Sequence, residues 1–116
     1  WQRRITPTPA WLFRYSALTF NAHRIHYDRP YATETEGYPG LVVHGPLIAT
    51  LLVDLVQRHH AKALVRGFSF KAVRPTFDLQ PFDVCARADD GGALDVWGQD
   101  HEGMLTMQGQ VKLQQP

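Results

Sequence analysis

The feature that most constrains the fold is a long apolar segment in the middle of the chain. Residues 47–56 read Leu-Ile-Ala-Thr-Leu-Leu-Val-Asp-Leu-Val and follow His44-Gly45-Pro46, a typical helix start. The pattern predicts one long helix from His44 to about Ala61 that is apolar around nearly its whole circumference. Other structure must wrap such a helix, with one flank left for a partner subunit. The segment is far shorter than the roughly 20 residues that a membrane span requires, and Asp54 interrupts it.

The chain after this helix alternates apolar and polar side chains, which predicts strands. The alternating runs are residues 68–72, 82–87, 94–98 and 105–113. The sequence Asp89-Asp90-Gly91-Gly92 predicts a turn between two of them. We therefore expect an antiparallel meander after the helix.

Two shorter elements are predicted before the helix. The bulky residues of Trp11-Leu12-Phe13-Arg14-Tyr15 predict a strand, and Ser16 predicts the cap of a short helical turn. Residues 29–36 predict a short helix, with Asp28 as N-cap and Pro30 in its first turn. Together the elements predict an α+β fold in which a curved antiparallel sheet of about five strands wraps round one long central helix. Residues 1–116 are expected to form a single domain.

Composition excludes several classes of function. The formal net charge of +1 argues against a nucleic-acid partner, and no membrane partner is expected. The single cysteine, Cys85, cannot form an intrachain disulfide and is predicted to be a small buried hydrophobe. It favours a reducing compartment, the cytoplasm of a bacterium or the mitochondrion of a eukaryote. The chain begins at Trp1 rather than methionine, which leaves open whether another segment precedes it.

A polar loop from Asn21 to Asp28 carries the titratable groups nearest to the helix start. Histidine titrates near neutrality, so His26 is the first candidate for an acid/base group. The N–H of Gly45, at a helix N-terminus, is a candidate donor to a carbonyl oxygen that gains negative charge. The pairing predicts acid/base chemistry on an activated acyl group.

A metal site is the other reading of the histidines in this loop. His23 and His26 have a metal-ligand spacing, and His59 and His60 are conceivable further ligands. No cysteine cluster or Glu-containing helical motif accompanies them, so no metal is predicted.

The loop and the helix start resemble a known family. Residues 21–26, Asn-Ala-His-Arg-Ile-His, match the motif Asp-x-Asn-Pro-hydrophobic-His of the MaoC-like hotdog-fold hydratases and dehydratases, and His44-Gly45 matches their helix-opening pair. Residues 12–28 and 37–46 are similar to one branch, the mesaconyl-C4-CoA (3-methylfumaryl-CoA) hydratases and mitochondrial 3-hydroxyacyl-thioester dehydratases. The resemblance covers roughly Trp11 to Asp54 and implies the hotdog fold.

The resemblance also implies a reaction and roles for residues. The reaction is reversible hydration of a 2-enoyl-CoA thioester to a 3-hydroxyacyl-CoA, as in fatty acid metabolism. His26 matches the catalytic histidine and Gly45 the oxyanion-hole glycine, whereas Asn21 stands where the catalytic aspartate is expected. Because an amide has no useful pKa near neutrality, we expect Asn21 to orient the water while His26 moves both protons. A second proton-transfer group, Asp28 or His23, is the open alternative.

Further residues are candidates for support or substrate binding: His44, Tyr38, Pro46, Lys71 and Arg74. Lys71 and Arg74 are candidates for contacts with coenzyme A phosphates, although a solvated strand face is the simpler reading. No cofactor is expected beyond the coenzyme A of the substrate. An exposed strand edge favours pairing into a dimer of hotdog units or with a second hotdog unit.

Two other functions stay open from the sequence. A hotdog thioesterase would hydrolyse the thioester with a carboxylate on or near the central helix, where Asp54 is the candidate and Glu34 and Glu36 precede the helix. A non-catalytic hotdog module would bind acyl thioesters or pair with a catalytic unit, and the asparagine at position 21 keeps that reading open.

Overall fold

The computed structural model describes residues 1–89 and 91–114. The strands are β1 (Gln2–Ile5), β2 (Leu64–Ala72), β3 (Phe82–Ala88), β4 (Ala93–Gln99) and β5 (Leu105–Gln114). The α-helices are α1 (Pro9–Thr19) and α2 (Gly45–His59), with a 3-10 turn at Arg24–His26 and a turn of π-helix at Tyr31–Thr35 between them. No helix among the described residues has the length and apolarity needed to cross a membrane.

The strands form one antiparallel sheet in the order β1-β3-β4-β5-β2. The registers of the central strands pair Val84 with Gly98 and Val96 with Gly109. Strands β3, β4 and β5 form the predicted antiparallel meander, whereas β2, the first strand after the long helix, pairs with β5 instead of β3 and lies at the edge of the sheet. The turn predicted at residues 89–92 has Asp89 accepting from the N–H groups of Gly91 and Ala93, while Asp90 lies outside the described residues. This is the α+β architecture predicted from the sequence.

The long helix was predicted at nearly the observed position. Its buried residues are Leu47, Ile48, Ala49, Leu52, Leu55 and Val56, and they pack against the sheet. Thr50 is exposed and Val53 is half-buried, so the opposite flank of α2 is open in a single chain. This flank lines a cleft of about 560 Å³, together with Pro46, Phe68 and Phe70.

The predicted strand at residues 11–15 is wrong, because these residues lie in α1. Thr8 caps this helix by accepting the Trp11 N–H at 3.1 Å, and Pro9 occupies its first turn. Leu12 and Ser16 are buried four residues apart on one helical face, so the bulky residues follow the helical period. Ser16 is inside α1 and does not cap a helix.

The first strand of the sheet is β1, in the segment before α1, which carried no strand signal. β1 lies at the sheet edge and pairs with β3, with Ile5 opposite Phe82. The predicted short helix at residues 29–36 is confirmed as helical from 29 to 35. Its predicted N-cap is confirmed too, since Asp28 Oδ1 accepts the Tyr31 N–H at 3.1 Å.

Candidate active site

His26 is held in a single ring orientation by the backbone. It ends the turn Arg24–His26 and has only 7% of its surface exposed. Its Nδ1 lies 2.7 Å from the carbonyl oxygen of Val42. A carbonyl only accepts, so Nδ1 of the neutral ring carries the hydrogen and Nε2 is left as the basic nitrogen. The N–H of Val42 donates to the Ile25 carbonyl at 2.9 Å, which ties the loop to the segment before α2.

His44, the N-cap residue of α2, packs directly on His26. The two imidazole centroids are 3.7 Å apart and the ring planes differ by 17°. His44 is fully buried, with its Nε2 at 2.7 Å from Ser16 Oγ and the edge of Tyr15 against its ring. α1 therefore contacts the histidine pair through Ser16 and Tyr15.

Burial keeps both imidazoles neutral at neutral pH. The pKa of His44 falls to about 4, mainly because the ring is buried and secondly because His26 lies beside it. Burial also lowers the pKa of His26, the hydrogen bond to Val42 opposes this, and the nearby charge of His23 adds to it. A neutral His26 can accept a proton at Nε2 at neutral pH.

Gly45 is the first residue of α2. Backbone N–H groups in a first turn have no intrahelical acceptor, and the helix dipole favours negative charge there. A Cβ added at Gly45 would meet one side-chain atom of the described residues, the Met107 methyl carbon, at 4.0 Å. Gly45 lines a cleft of about 280 Å³, called here the Gly45 cleft. Its walls also include Ile48, Arg74, Thr76, Thr106 and Met107.

Asn21 lies on a different cleft from Gly45. Its Oδ1 accepts the His23 N–H at 3.1 Å, which closes a local turn before the loop. Asn21 also lines a cleft of about 400 Å³ together with Ser16 and Tyr27. Ser16, which bonds to His44, lines the Asn21 cleft, and Val42, whose carbonyl contacts His26 Nδ1, lines the Gly45 cleft.

Residues 1–78 match the family model described as hydroxyacyl-thioester dehydratase type 2. The chain belongs to this dehydratase type 2 family. It is 54% identical over 111 residues to the mesaconyl-C(4)-CoA hydratase of Chloroflexus aurantiacus, covering 96% of this chain and 39% of that protein. It is 43% identical over 82 residues to the mitochondrial hydroxyacyl-thioester dehydratase type 2 of Schizosaccharomyces pombe, covering 69% of this chain and 27% of that one. The chain thus spans two fifths or less of the length of these relatives.

Solved structures confirm the predicted hotdog fold. An (R)-hydratase from A. caviae involved in PHA biosynthesis superposes with a TM-score of 0.85 at 20% identity, covering all of this chain and 93% of that chain. At this level of identity the likeness is one of fold.

Neither alternative proton-transfer group of this dehydratase-family chain is arranged like His26. The carboxylate of Asp28 pairs with Arg24 at 2.9 Å and caps the helix at Tyr31, and these contacts lower its pKa. A carboxylate with a lowered pKa is a weak base. His23 is exposed, with its ring edge-on to His26 at 5.8 Å between centroids. In this position a positive charge on His23 lowers the pKa of His26.

The remaining predicted substrate-binding residues of this chain are scattered. Tyr38 packs against Phe77, and Pro46 lines the cleft on the open flank of α2. Lys71 lines a groove on the sheet together with Trp97. Arg74 is the member of this group that reaches the Gly45 cleft. Their roles in substrate binding stay predictions.

The groups needed by the metal and thioesterase readings are engaged elsewhere. Asp54 Oδ2 pairs with Arg3 at 3.1 Å and with Arg58 at 2.6 Å. His59 stacks on Trp1 at the far end of α2, so it does not approach His26. Within residues 1–89 and 91–114, no three His, Cys, Asp or Glu side chains converge as metal ligands.

Sequence reasoning missed three hydroxyl residues near the site. Ser16 was assigned to a cap, yet it bonds to His44. Thr76 and Thr106 line the Gly45 cleft and carried no signal, because Thr76 lies in a loop and Thr106 alternates with the apolar residues of β5. The signal that could have identified Ser16 is its spacing of four residues from Leu12, which places both on one face of a helix that Thr8 caps and Pro9 begins.

Proposed function

We propose that this chain is the catalytic hotdog unit of a hydro-lyase that interconverts a 2-enoyl-CoA and its 3-hydroxyacyl-CoA. The observation that carries the proposal is the neutral His26, fixed by Val42 with Nε2 free, stacked on the residue that precedes Gly45. The proposed base and the proposed oxyanion donor therefore lie on adjoining segments. The 54% identity to a mesaconyl-C(4)-CoA hydratase supports the same reaction class.

The proposed reaction needs one base and one donor site. In the hydration direction, His26 Nε2 accepts a proton from water while the water oxygen bonds to the β-carbon. The electrons of the carbon–carbon double bond move to the thioester oxygen, where the Gly45 N–H stabilises the enolate. The His26 imidazolium then delivers its proton to the α-carbon. One water is added and His26 is neutral again.

Asn21 is proposed to orient the water. Its Oδ1 is engaged by His23, which leaves the amide Nδ2 as a donor on the neighbouring cleft. An Asn21→Ala variant should lower kcat about tenfold. Asn21→Asp retains the acceptor that closes the turn but replaces the Nδ2 donor with a carboxylate, so improved activity would show that the site accepts a second proton-transfer group. Parent-like kcat in a folded Asn21→Ala protein would contradict the water-orienting role.

The partner of this unit is proposed to be another hotdog unit, in a homo-oligomer or on a longer chain. The open flank of α2 and the outer edge of β2 are the surfaces that a partner would cover. We propose residues 1–116 as one domain, with coenzyme A entering as part of the substrate and no separate cofactor. A compartment without disulfide chemistry, bacterial cytoplasm or mitochondrion, fits the single buried Cys85.

The decisive experiment follows the enoyl absorbance of crotonyl-CoA or mesaconyl-CoA with the purified protein. A hydratase consumes the enoyl group without releasing thiol, whereas a thioesterase releases free thiol and leaves the enoyl group. His26→Ala should abolish hydration, and His59→Ala, which changes a histidine at the far end of α2, should not. Acyl-CoA binding with neither signal would favour the non-catalytic module. Near-normal turnover by His26→Ala would refute the assignment.

A further inference from the structure

The segment 41–43 carries the carbonyl that orients His26, and it is held from two sides. On one side, the carbonyl of Val42 lies 2.7 Å from His26 Nδ1. The opposite side of the segment runs antiparallel to residues 76–78, in the loop between β2 and β3, and Val42 and Phe77 are the bridge partners. The position of the carbonyl that orients His26 therefore depends on where this loop lies.

Asp78, in this loop, anchors the segment at Leu41. Its Oδ1 accepts the Leu41 N–H at 3.0 Å, and its own N–H donates to the Leu41 carbonyl at 3.0 Å. The side chain of Asp78 is only 2% exposed. A carboxylate buried this deeply is costly unless it is paired and hydrogen-bonded. The fold therefore places a buried charge beside the residue that precedes Val42.

Arg29 supplies the opposite charge from the other side of His26. Its Nη1 donates to Asp78 Oδ1 at 3.2 Å and its Nη2 to Asp78 Oδ2 at 2.5 Å, which is the two-point geometry in which arginine holds a carboxylate most firmly. Arg29 begins the helical turn after the loop, three residues after His26. These contacts close a ring that runs from His26 through Val42, Leu41 and Asp78 to Arg29.

Gly40 shows how closely the two segments approach each other. A Cβ added at this glycine would lie 2.9 Å from Asp78 Oδ1 and 3.0 Å from Leu79 Cγ, which is closer than such atoms normally come. Glycine is needed here because the backbone passes directly over the carboxylate. The segment before Val42 is thus in direct contact with Asp78 at two successive residues.

We propose that Asp78 and Arg29 are positioning residues that keep Nε2 of His26 free to serve as the base. They hold the Val42 carbonyl where it accepts from Nδ1, which fixes the hydrogen on that nitrogen. A weaker hold would let the hydrogen move to Nε2, and the neutral ring would then present no base there. The catalytic part of this role rests on the proposed function, whereas the orientation of the ring does not.

The test measures which nitrogen of His26 carries the hydrogen, by nitrogen NMR of the imidazole at a pH where the ring is neutral. The parent should carry it on Nδ1, and His26→Ala identifies the signal among the six histidines. Asp78→Ala should shift the tautomer ratio toward Nε2–H at least about fivefold, the value of one lost hydrogen bond. Asp78→Asn, which retains an acceptor for the Leu41 N–H, should lie between Asp78→Ala and the parent.

Asp83→Ala is the matched control, because Asp83 is also a buried carboxylate paired with an arginine, at the edge formed by β1 and β3. It should lower Tm and leave the His26 tautomer unchanged. Arg29→Gln changes the more exposed partner, so it should shift the ratio in the same direction as Asp78→Ala even if that variant does not fold. A parent-like ratio in either folded variant, an equal shift in Asp83→Ala, or a parent His26 with its hydrogen on Nε2 would overturn the positioning role.

Kinetics on crotonyl-CoA connect the tautomer to the reaction. At a temperature where the variant is folded, Asp78→Ala should lower kcat about tenfold and leave KM within about twofold. A parent that hydrates no crotonyl-CoA, but whose His26 tautomer shifts in Asp78→Ala, would refute the hydro-lyase and leave the positioning role standing. Hydration by the parent with an unmoved tautomer in Asp78→Ala would do the reverse.

Discussion

The rings of His26 and His44 are stacked with centroids 3.7 Å apart and 17° between their planes. Two stacked imidazoles repel each other when both are protonated, so a proton on one ring lowers the pKa of the other. His44 is the more deeply buried ring and its pKa falls to about 4. His26 is thus the member of the pair that takes a proton first. The stack gives the candidate base a neutral neighbour throughout the neutral pH range.

The pH profile of hydration should report the pKa of His26. Activity requires the neutral base, so kcat/KM should fall as pH drops through a pKa below 6.5, the ordinary value for histidine. The charge of His23 contributes to this lowering, so His23→Gln should move the acid limb upward by a few tenths of a pH unit. His101→Gln, at an exposed histidine in the β4–β5 turn, is the control. An acid limb that does not move in His23→Gln would contradict this coupling.

Stability should fall on mild acidification because of His44. Its pKa is about 4 in the folded state against 6.5 ordinarily, so the unfolded state binds more protons between these values. The stabilisation is complete above about pH 6.5 and decreases as pH falls towards 4, by at most about 3 kcal/mol. Urea unfolding at several pH values measures it. The non-titrating His44→Gln should flatten the dependence relative to the parent, and an equally steep curve would show that another group carries it.

The fold could be predicted from the sequence wherever a periodic pattern matched its burial. The apolar residues of α2 and the alternating residues of β4 and β5 allowed these three elements to be predicted, because one face of each packs in the core. The residues at 11–15 misled because aromatic side chains favour strands, while the Thr8 cap and the buried pair Leu12 and Ser16 favour a helix.

The site was predictable only in part. His26 and Gly45 lie in a recognisable motif, so both could be singled out in advance. The carbonyl of Val42 that fixes His26 is a backbone group and leaves no mark in the sequence. The Gly45 cleft likewise joins residues from a loop and from β5, such as Thr76 and Thr106, that meet only after folding.

Gly45→Ala should separate catalysis from folding. An added Cβ would come no closer than 4.0 Å to Met107, and alanine is a better helix former than glycine, so Tm should be unchanged or higher. The methyl group would nevertheless stand beside the N–H that is proposed to hold the thioester oxygen. We expect kcat on crotonyl-CoA to fall at least about tenfold, since small displacements at a reacting centre are costly. Parent-like kcat in a folded Gly45→Ala protein would argue against an oxyanion role for this residue.

Ser16→Ala should test whether α1 positions the histidine pair. The substitution removes the 2.7 Å contact with His44 Nε2, and His44 Nδ1 already has no partner among the described residues. The loss of a buried hydrogen bond should cost about 1–3 kcal/mol and lower Tm by several degrees. Thr19→Ala removes an exposed hydroxyl from the same helix and is the matched control.

A positioning role for Ser16 predicts more than a loss of stability. With both nitrogens of His44 unbonded, no hydrogen bond fixes the orientation of its ring, and the stack that supports His26 from one side weakens. At a temperature where Ser16→Ala is fully folded, kcat should fall about tenfold or more while KM for crotonyl-CoA stays within about twofold. Ser16→Cys, a weaker hydrogen-bonding side chain of similar size, should lie between the parent and Ser16→Ala. A destabilised Ser16→Ala protein with parent kcat would reduce the contact to a structural one.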